Sequence, residues 1–194
     1  MIKKNEKSFL YKRKIARTAV TSSSARKQPK GTIDIAQKFL AELDMASLKK
    51  VAIELEFQAE LDTWTAQLQR SLKSKSWGHA RKFLNLFLYL CSRDYSLRKE
   101  FLLDRIDSWL EIPMDKHVGE SLLAFNKCSI HGEEVKLPWK NISTLEKKEN
   151  VYLQLRAKEV SRLVGLSRAD LDLLLWRRKE SNRKLCIACY PQRD

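Results

Sequence analysis

Residues 83–91, FLNLFLYLC, form the most apolar run of the chain, and Asn85 is its only polar member. A helix that is apolar on every face needs partners on every side, so the run predicts a helix buried at the centre of a core. The other elements must then pack around it. Only 5 Gly and 4 Pro punctuate the 194 residues, which fits helices joined by short loops. The expected fold is all-α, a compact multi-helix bundle. It comprises a single helical domain over residues 32–194, open to division into two lobes with a cleft, and a basic, flexible arm over residues 1–31.

The arm is set apart by charge. The formal net charge is +14, and residues 1–30 hold ten Lys or Arg against the single acid Glu6, which leaves +5 for residues 31–194. Dense cations predict a polyanionic partner, nucleic acid first and an acidic membrane surface second, because releasing counterions from phosphates favours binding. A solubilising tail is the alternative reading. The N-terminus lacks an apolar leader and no run approaches the length of a membrane span, so the expectation is no membrane partner and a reducing, cytoplasmic setting, nucleoid-associated or nuclear if DNA is bound. Oligomeric state is not written in the pattern.

The chain after the arm reads as successive amphipathic helices. Thr32 is placed to cap a helix carrying Ile33, Ala36, Phe39, Leu40 and Leu43 on one face. Residues 47–72 read as one long helix with Leu48, Val51, Ala52, Leu55, Ala59, Leu61, Trp64, Leu68 and Leu72 as its stripe. SLKSKS, residues 71–76, is a polar break before the buried helix, which runs from near His79 to Ser92 or Arg93. Residues 95–110 form the next helix, and Pro113 opens another with Asp115 in its first turn, facing unsatisfied backbone donors. Residues 128–139 read as a loop. Ser143 and Glu146 make a capping-box pattern for a helix that Gly165 ends, and Ser167 with Asp170 repeats it before a last helix and the basic run Arg177, Arg178, Lys179.

Chemistry concentrates at the two ends of the segment from Ser76 to Val118. Gly78, ahead of a helix, lets the chain turn tightly and brings backbone N–H groups near an anion. Lys82 is expected in the first helical turn, where the dipole and partial desolvation both work against an ammonium and favour a nucleophilic amine. Such an amine forms a Schiff base with a sugar aldehyde carbon. Asp115 is suited to stabilising a cationic sugar-like transition state or relaying protons.

At these residues the sequence resembles the helix-hairpin-helix DNA glycosylases, in particular the endonuclease III-like lyases. Trp77-Gly78-His79-Ala80-Arg81-Lys82-Phe83-Leu84-Asn85 stands for the family's Pro-Gly-x-Gly-Arg-Lys-Thr-Ala-Asn hairpin. Met114-Asp115-Lys116-His117-Val118 stands for its Val-Asp-Thr-His-Val segment. Trp77 and Ala80 replace the family's proline and second glycine, and the 33 residues from Lys82 to Asp115 imply an inserted helix. The resemblance implies a DNA glycosylase with AP-lyase activity acting on a nucleotide flipped from duplex DNA. It makes Lys82 the Schiff-base lysine and Asp115 the essential aspartate. It also makes Gly78, His79, Ala80, Arg81 and His117 DNA-contacting residues, to which the basic run Arg177–Lys179 is added on charge. Trp77 or Trp139, by loop position, would fill the gap left by an extruded base. Only Cys186 and Cys189 are closely spaced among Cys91, Cys128, Cys186 and Cys189, so no iron–sulfur cluster, metal or other cofactor is expected.

Each of these residues also has a plain structural reading. Lys82 reads equally as a solvated helix-start lysine, Asp115 as an N-cap, His117 as a structural or DNA-contacting histidine and the tryptophans as core. Cys186-x-x-Cys189 is a free dithiol or half of a zinc site. At the level of function the alternatives are a non-catalytic basic helical protein that binds nucleic acid, and a helical partner protein whose basic arm adds solubility.

Overall fold

The computed structural model describes residues 4–124 and 141–176. Every regular element among them is helical, with no strand, so the chain is all-α. It divides into two compact units, Met1–Leu110 and Glu111–Asp194, each with its own internal packing.

The N-terminal unit is built on the helix anticipated at its centre, α4 (Trp77–Arg93). Ser76 caps it, Oγ accepting from His79 N at 3.4 Å, and places the start two residues earlier than the periodicity alone implies. Phe83, Leu84, Phe87 and Leu88 are buried to 1% exposure or less. Each contributes roughly 1.5–3 kcal/mol by leaving water. Leu86, Tyr89 and Leu90 are only half-buried, so one flank of α4 stays near the surface. Asp94 both ends α4 and opens α5 (Tyr95–Phe101), its Oδ1 accepting from Leu97 N at 3.0 Å.

Four expectations change in this unit. Residues 4–20, read from composition as a mobile arm, carry helix α1 (Lys4–Ala19), which packs on α2 (Thr32–Glu42) and on α4. Its inward face is Ser8, Ile15, Ala16 and Ala19, and Val20 follows it into the core. Small side chains let the helix sit close. Lys7 and Lys14 are exposed on the outer arc, while Lys12 is half-buried and its Nζ donates to the Leu43 carbonyl at 2.7 Å. Second, the N-cap of α2 is Gly31 at φ 90°, not Thr32, which lies buried inside the first turn. Third, residues 47–72 are not one helix. A short 3-10 turn, Ala46–Lys50, is followed by extended backbone at Val51 and Ile53 and then by α3 (Glu54–Ser71). The break is stabilised because Ala52 N donates to Glu56 Oε2 at 2.7 Å, giving the chain an alternative to a continuous helical ladder. The buried stripe of α3 is Phe57, Leu61, Trp64, Thr65 and Leu68, while Leu55 is 75% exposed and Ala52 and Ala59 face solvent.

Residues 95–110 divide in the same way. Leu102 adopts φ 55°, α5 stops before it, and a 3-10 turn, Leu103–Trp109, carries Leu103 and Ile106 inward.

The C-terminal unit packs α6 (Lys116–Ala124) against α7 (Lys147–Val164) and α8 (Leu171–Trp176). A further 3-10 turn, Ile142–Thr144, is capped by Asn141, and the capping box of α7 pairs Glu146 with Glu149 rather than Ser143 with Glu146. Gly165 ends α7 in the left-handed conformation at φ 67°, as anticipated. The irregular segment before α6 is tied to α7 by Gln154, whose Oε1 accepts from Ile112 N at 3.2 Å and whose Nε2 donates to Ile112 O at 2.9 Å. No helix among the described residues is long and apolar enough to cross a membrane.

Candidate nucleic-acid interface

The start of α4 gathers Trp77, Gly78, His79, Ala80, Arg81 and Lys82 in two successive turns. Gly78 has a negative φ and lies inside the helix, so it makes no tight turn ahead of it. Gly78, His79, Ala80 and Arg81 are all buried. That differs from the surface-facing hairpin expected of them, because four consecutive residues can all be covered only where a helix is enclosed on several sides.

Arg81 explains how a cation is tolerated there. Its Nη1 donates to Asp62 Oδ1 at 2.9 Å and Thr65 Oγ1 at 3.0 Å, and its Nη2 to Gln58 Oε1 at 3.1 Å, all on α3. The guanidinium also lies 5.4 Å from the centre of the Trp77 ring. Arg81 thus clamps α3 to α4. His79 is 1% exposed, its Nδ1 3.1 Å from Ser76 Oγ and its ring 5.9 Å from that of Phe83. Burial first, and the charge of Lys82 second, lower its pKa from 6.5 to about 4. At neutral pH it is an uncharged core residue rather than a cationic phosphate contact.

Lys82 is the sixth residue of α4, in its second turn rather than its first, so the pull of the helix dipole has largely faded at its position. It is half-buried, as is Trp77.

Asp115 belongs to the C-terminal unit. Its Oδ1 accepts from Val118 N at 3.0 Å, and its carbonyl accepts from Gly119 N at 2.9 Å, so it is the N-cap of α6. Lys82 and Asp115 therefore sit in different compact units. His117 is exposed on the first turn of α6. Trp139, Arg177, Arg178, Lys179, Cys128, Cys186 and Cys189 lie outside the described residues. Cys91 is a free thiol buried in α4, and burial raises its pKa well above the ordinary thiol value, which leaves it inert.

The surface that composition counts without placing is on α1. Lys7, Arg13, Lys14 and Arg17 are exposed there, while Ser8, Ile15, Ala16 and Ala19 face the unit's interior. Their spacing of three, four and seven residues puts Lys7, Lys14 and Arg17 on one side of a helix, and that spacing is the sequence signal for an ordered cationic face. None of these four makes an ion pair among the described residues. A groove of about 380 Å³ lies elsewhere in the same unit, lined by Phe39, Leu43, Trp64, Ser47, Gln67 and the acids Glu42, Asp44 and Glu60. Its carboxylates repel phosphate, and no residue named above for DNA chemistry lines it.

The chain matches no family model, no curated protein and no solved structure.

Proposed function

We propose that this chain is a nucleic-acid-binding protein that contacts phosphates through a fixed cationic helix face on its N-terminal unit. The supporting observation is α1, whose Lys7, Arg13, Lys14 and Arg17 point to solvent while Ser8, Ile15, Ala16 and Ala19 are used in packing. A cationic face held on a rigid helix loses less conformational entropy on binding than a flexible tail does. An acidic membrane surface is the competing occupant. Helix α1 buries Ile15, Ala16 and Ala19 within the unit and leaves Phe9 and Leu10 38% and 46% exposed, two apolar side chains rather than the continuous apolar side with which an amphipathic helix enters a bilayer.

The test is duplex DNA binding by the full chain, followed by fluorescence anisotropy as salt is raised. Affinity should fall by about a hundredfold or more between roughly 50 and 200 mM salt. Changing Lys7, Arg13, Lys14 and Arg17 to Gln should flatten the log–log salt slope by about 3–4. Absence of DNA binding at low salt, or binding to acidic vesicles in its place, would refute the proposal.

The glycosylase–lyase is the second reading. It draws on Lys82, the one member of the hairpin-like run from Gly78 to Lys82 whose side chain reaches toward the surface. In it, Lys82 Nζ attacks the sugar C1′ and displaces the base, the nitrogen loses a proton, the C1′–O4′ bond breaks to open the sugar as an imine with the proton going to O4′, and β-elimination cuts the strand. Borohydride reduction should trap the imine as a covalent adduct that Lys82→Ala abolishes. An adduct that persists in Lys82→Ala, or no adduct and no base release from damaged duplexes, excludes it.

A further inference from the structure

Two long stretches of this chain contain no Asp or Glu, residues 7–33 and residues 63–93. One loop from each is folded against the other. Lys73 Nζ donates to the Lys30 carbonyl at 3.1 Å, and Ser74 Oγ donates to Gln28 Oε1 at 2.6 Å. Gln69 Nε2 donates to the Lys75 carbonyl at 2.9 Å, and Lys75 Nζ donates to the Arg70 carbonyl, which fixes the α3–α4 loop on the end of α3. The outcome gathers Arg26, Lys27 and Lys30 with Arg70, Lys73 and Lys75.

All six are exposed, and none is in an ion pair among the described residues. Like charges held together without a carboxylate raise the energy of the free protein, and a polyanion relieves that repulsion. Lys27 and Lys75, one in each loop, both adopt left-handed backbone, φ 65° and φ 52°. That conformation disfavours a side chain, yet both side chains are exposed and fill no part of the core. Gly31 closes the first loop as the N-cap of α2 without a side-chain cap, so the positive end of that helix adds to the same surface. The nearest acid in sequence is Asp34, in the first turn of α2. Neither loop exposes a large apolar side chain, so the surface has nothing to insert into a bilayer.

We propose that these two loops together form a sequence-independent contact for the phosphate backbone of duplex DNA, distinct from the face on α1. This rests on the reading of the chain as a nucleic-acid-binding protein. Contacts to phosphate oxygens carry no base information, so the surface supplies affinity and not sequence choice.

The double variant Lys27→Gly/Lys75→Gly tests it in the full chain. Glycine relieves both left-handed positions, which offsets the loss of the exposed bond from Lys75 Nζ to the Arg70 carbonyl, so the melting temperature should stay near that of wild type while two cations are lost. Duplex affinity at low salt should fall several-fold, and the salt slope should flatten by about 2. Asp34→Asn should act oppositely and tighten binding. A double variant with unchanged affinity and slope, in a background where the α1 Gln variants do weaken binding, overturns the two-loop contact and leaves the broader function standing. A wild-type chain that fails to bind DNA overturns both. A lower melting temperature with unchanged affinity assigns the two lysines to the fold and also overturns the contact.

Discussion

Arg81 Nη1 and Asp62 Oδ1 are 2.9 Å apart between α4 and α3, with the arginine side chain 4% exposed and the aspartate 28%. The asymmetry fixes which partner is costly to lose. Removing the carboxylate takes the charged partner from a buried cation and leaves it the neutral acceptors Thr65 and Gln58, whereas removing the arginine leaves an aspartate that water can reach. Asp62→Ala should therefore cost about 2 kcal/mol, below the 3–5 typical of a fully enclosed pair because Asp62 is partly solvated. Arg81→Met should cost less. Urea midpoints of both variants check the order, and the reverse order would show that Thr65 and Gln58 suffice.

His79 makes stability depend on pH. Its folded-state pKa is lowered from 6.5 to about 4 by burial and then by the charge of Lys82. Its contribution is fully present above pH 6.5. Below that the unfolded chain binds a proton that the folded chain resists, so stability declines as pH falls toward 4, by up to roughly 3 kcal/mol. His79→Gln removes this component, so the difference in unfolding free energy between wild type and variant should change over that window. A difference independent of pH from 7 to about 4 would contradict the burial of the imidazole.

Asp115 can be asked whether it caps or catalyses. Asp115→Ala should cost about 1 kcal/mol and speed amide exchange at Val118, the donor to its Oδ1. Asp115→Asn retains the acceptor and should lie within a few tenths of a kcal/mol of wild type. If any strand-cleaving activity is found, its loss in Asp115→Asn at unchanged stability would identify a role for the carboxylate beyond the cap.

Leu102, at φ 55° and 41% exposed, sits where α5 gives way to a 3-10 turn. Left-handed backbone costs an L-residue roughly 1–2 kcal/mol, and glycine's larger unfolded-state entropy returns part of that. Leu102→Gly should match or exceed wild type by up to about 1 kcal/mol, while Leu102→Val, branched at Cβ, should lose more than about 1 kcal/mol. Equal melting temperatures for the two variants would contradict the backbone assignment.

The parts of this fold that local rules govern were legible in the sequence. The run from Phe83 to Cys91 has no polar face, and it is the central helix. Gly165 follows a basic last turn, and it is the C-cap. Helix α1 was hidden because its buried side is mostly Ser8, Ala16 and Ala19, small groups that give little periodic signal beneath six cations. Docking on α2 and α4, rather than propensity, settles it. The break at Val51 and Ile53 was hidden because those residues also fit a helical stripe, and only the bond from Ala52 N to Glu56 distinguishes the two. The depth of the site at the start of α4 is not a local property, since sequence marks Gly78, His79 and Arg81 as chemically capable but says nothing of Asp62, Thr65 and Gln58 on α3. Convergence of residues 28–30 with 73 and 74 is a long-range contact, and no local pattern encodes it.

Gln154 has a consequence for the C-terminal unit. Its carboxamide meets both the N–H and the C=O of Ile112, as the peptide of a neighbouring strand would, so a helical side chain supplies one rung of a ladder to a segment with no strand beside it. A two-point grip of this kind sets register as well as attachment. If the segment slid by one residue, it would present Pro113, which has no N–H to give, and the grip would be halved. The proline thus acts as a stop beside the clasp, and Asp115, three residues beyond Ile112, arrives at the start of α6 by count rather than by search.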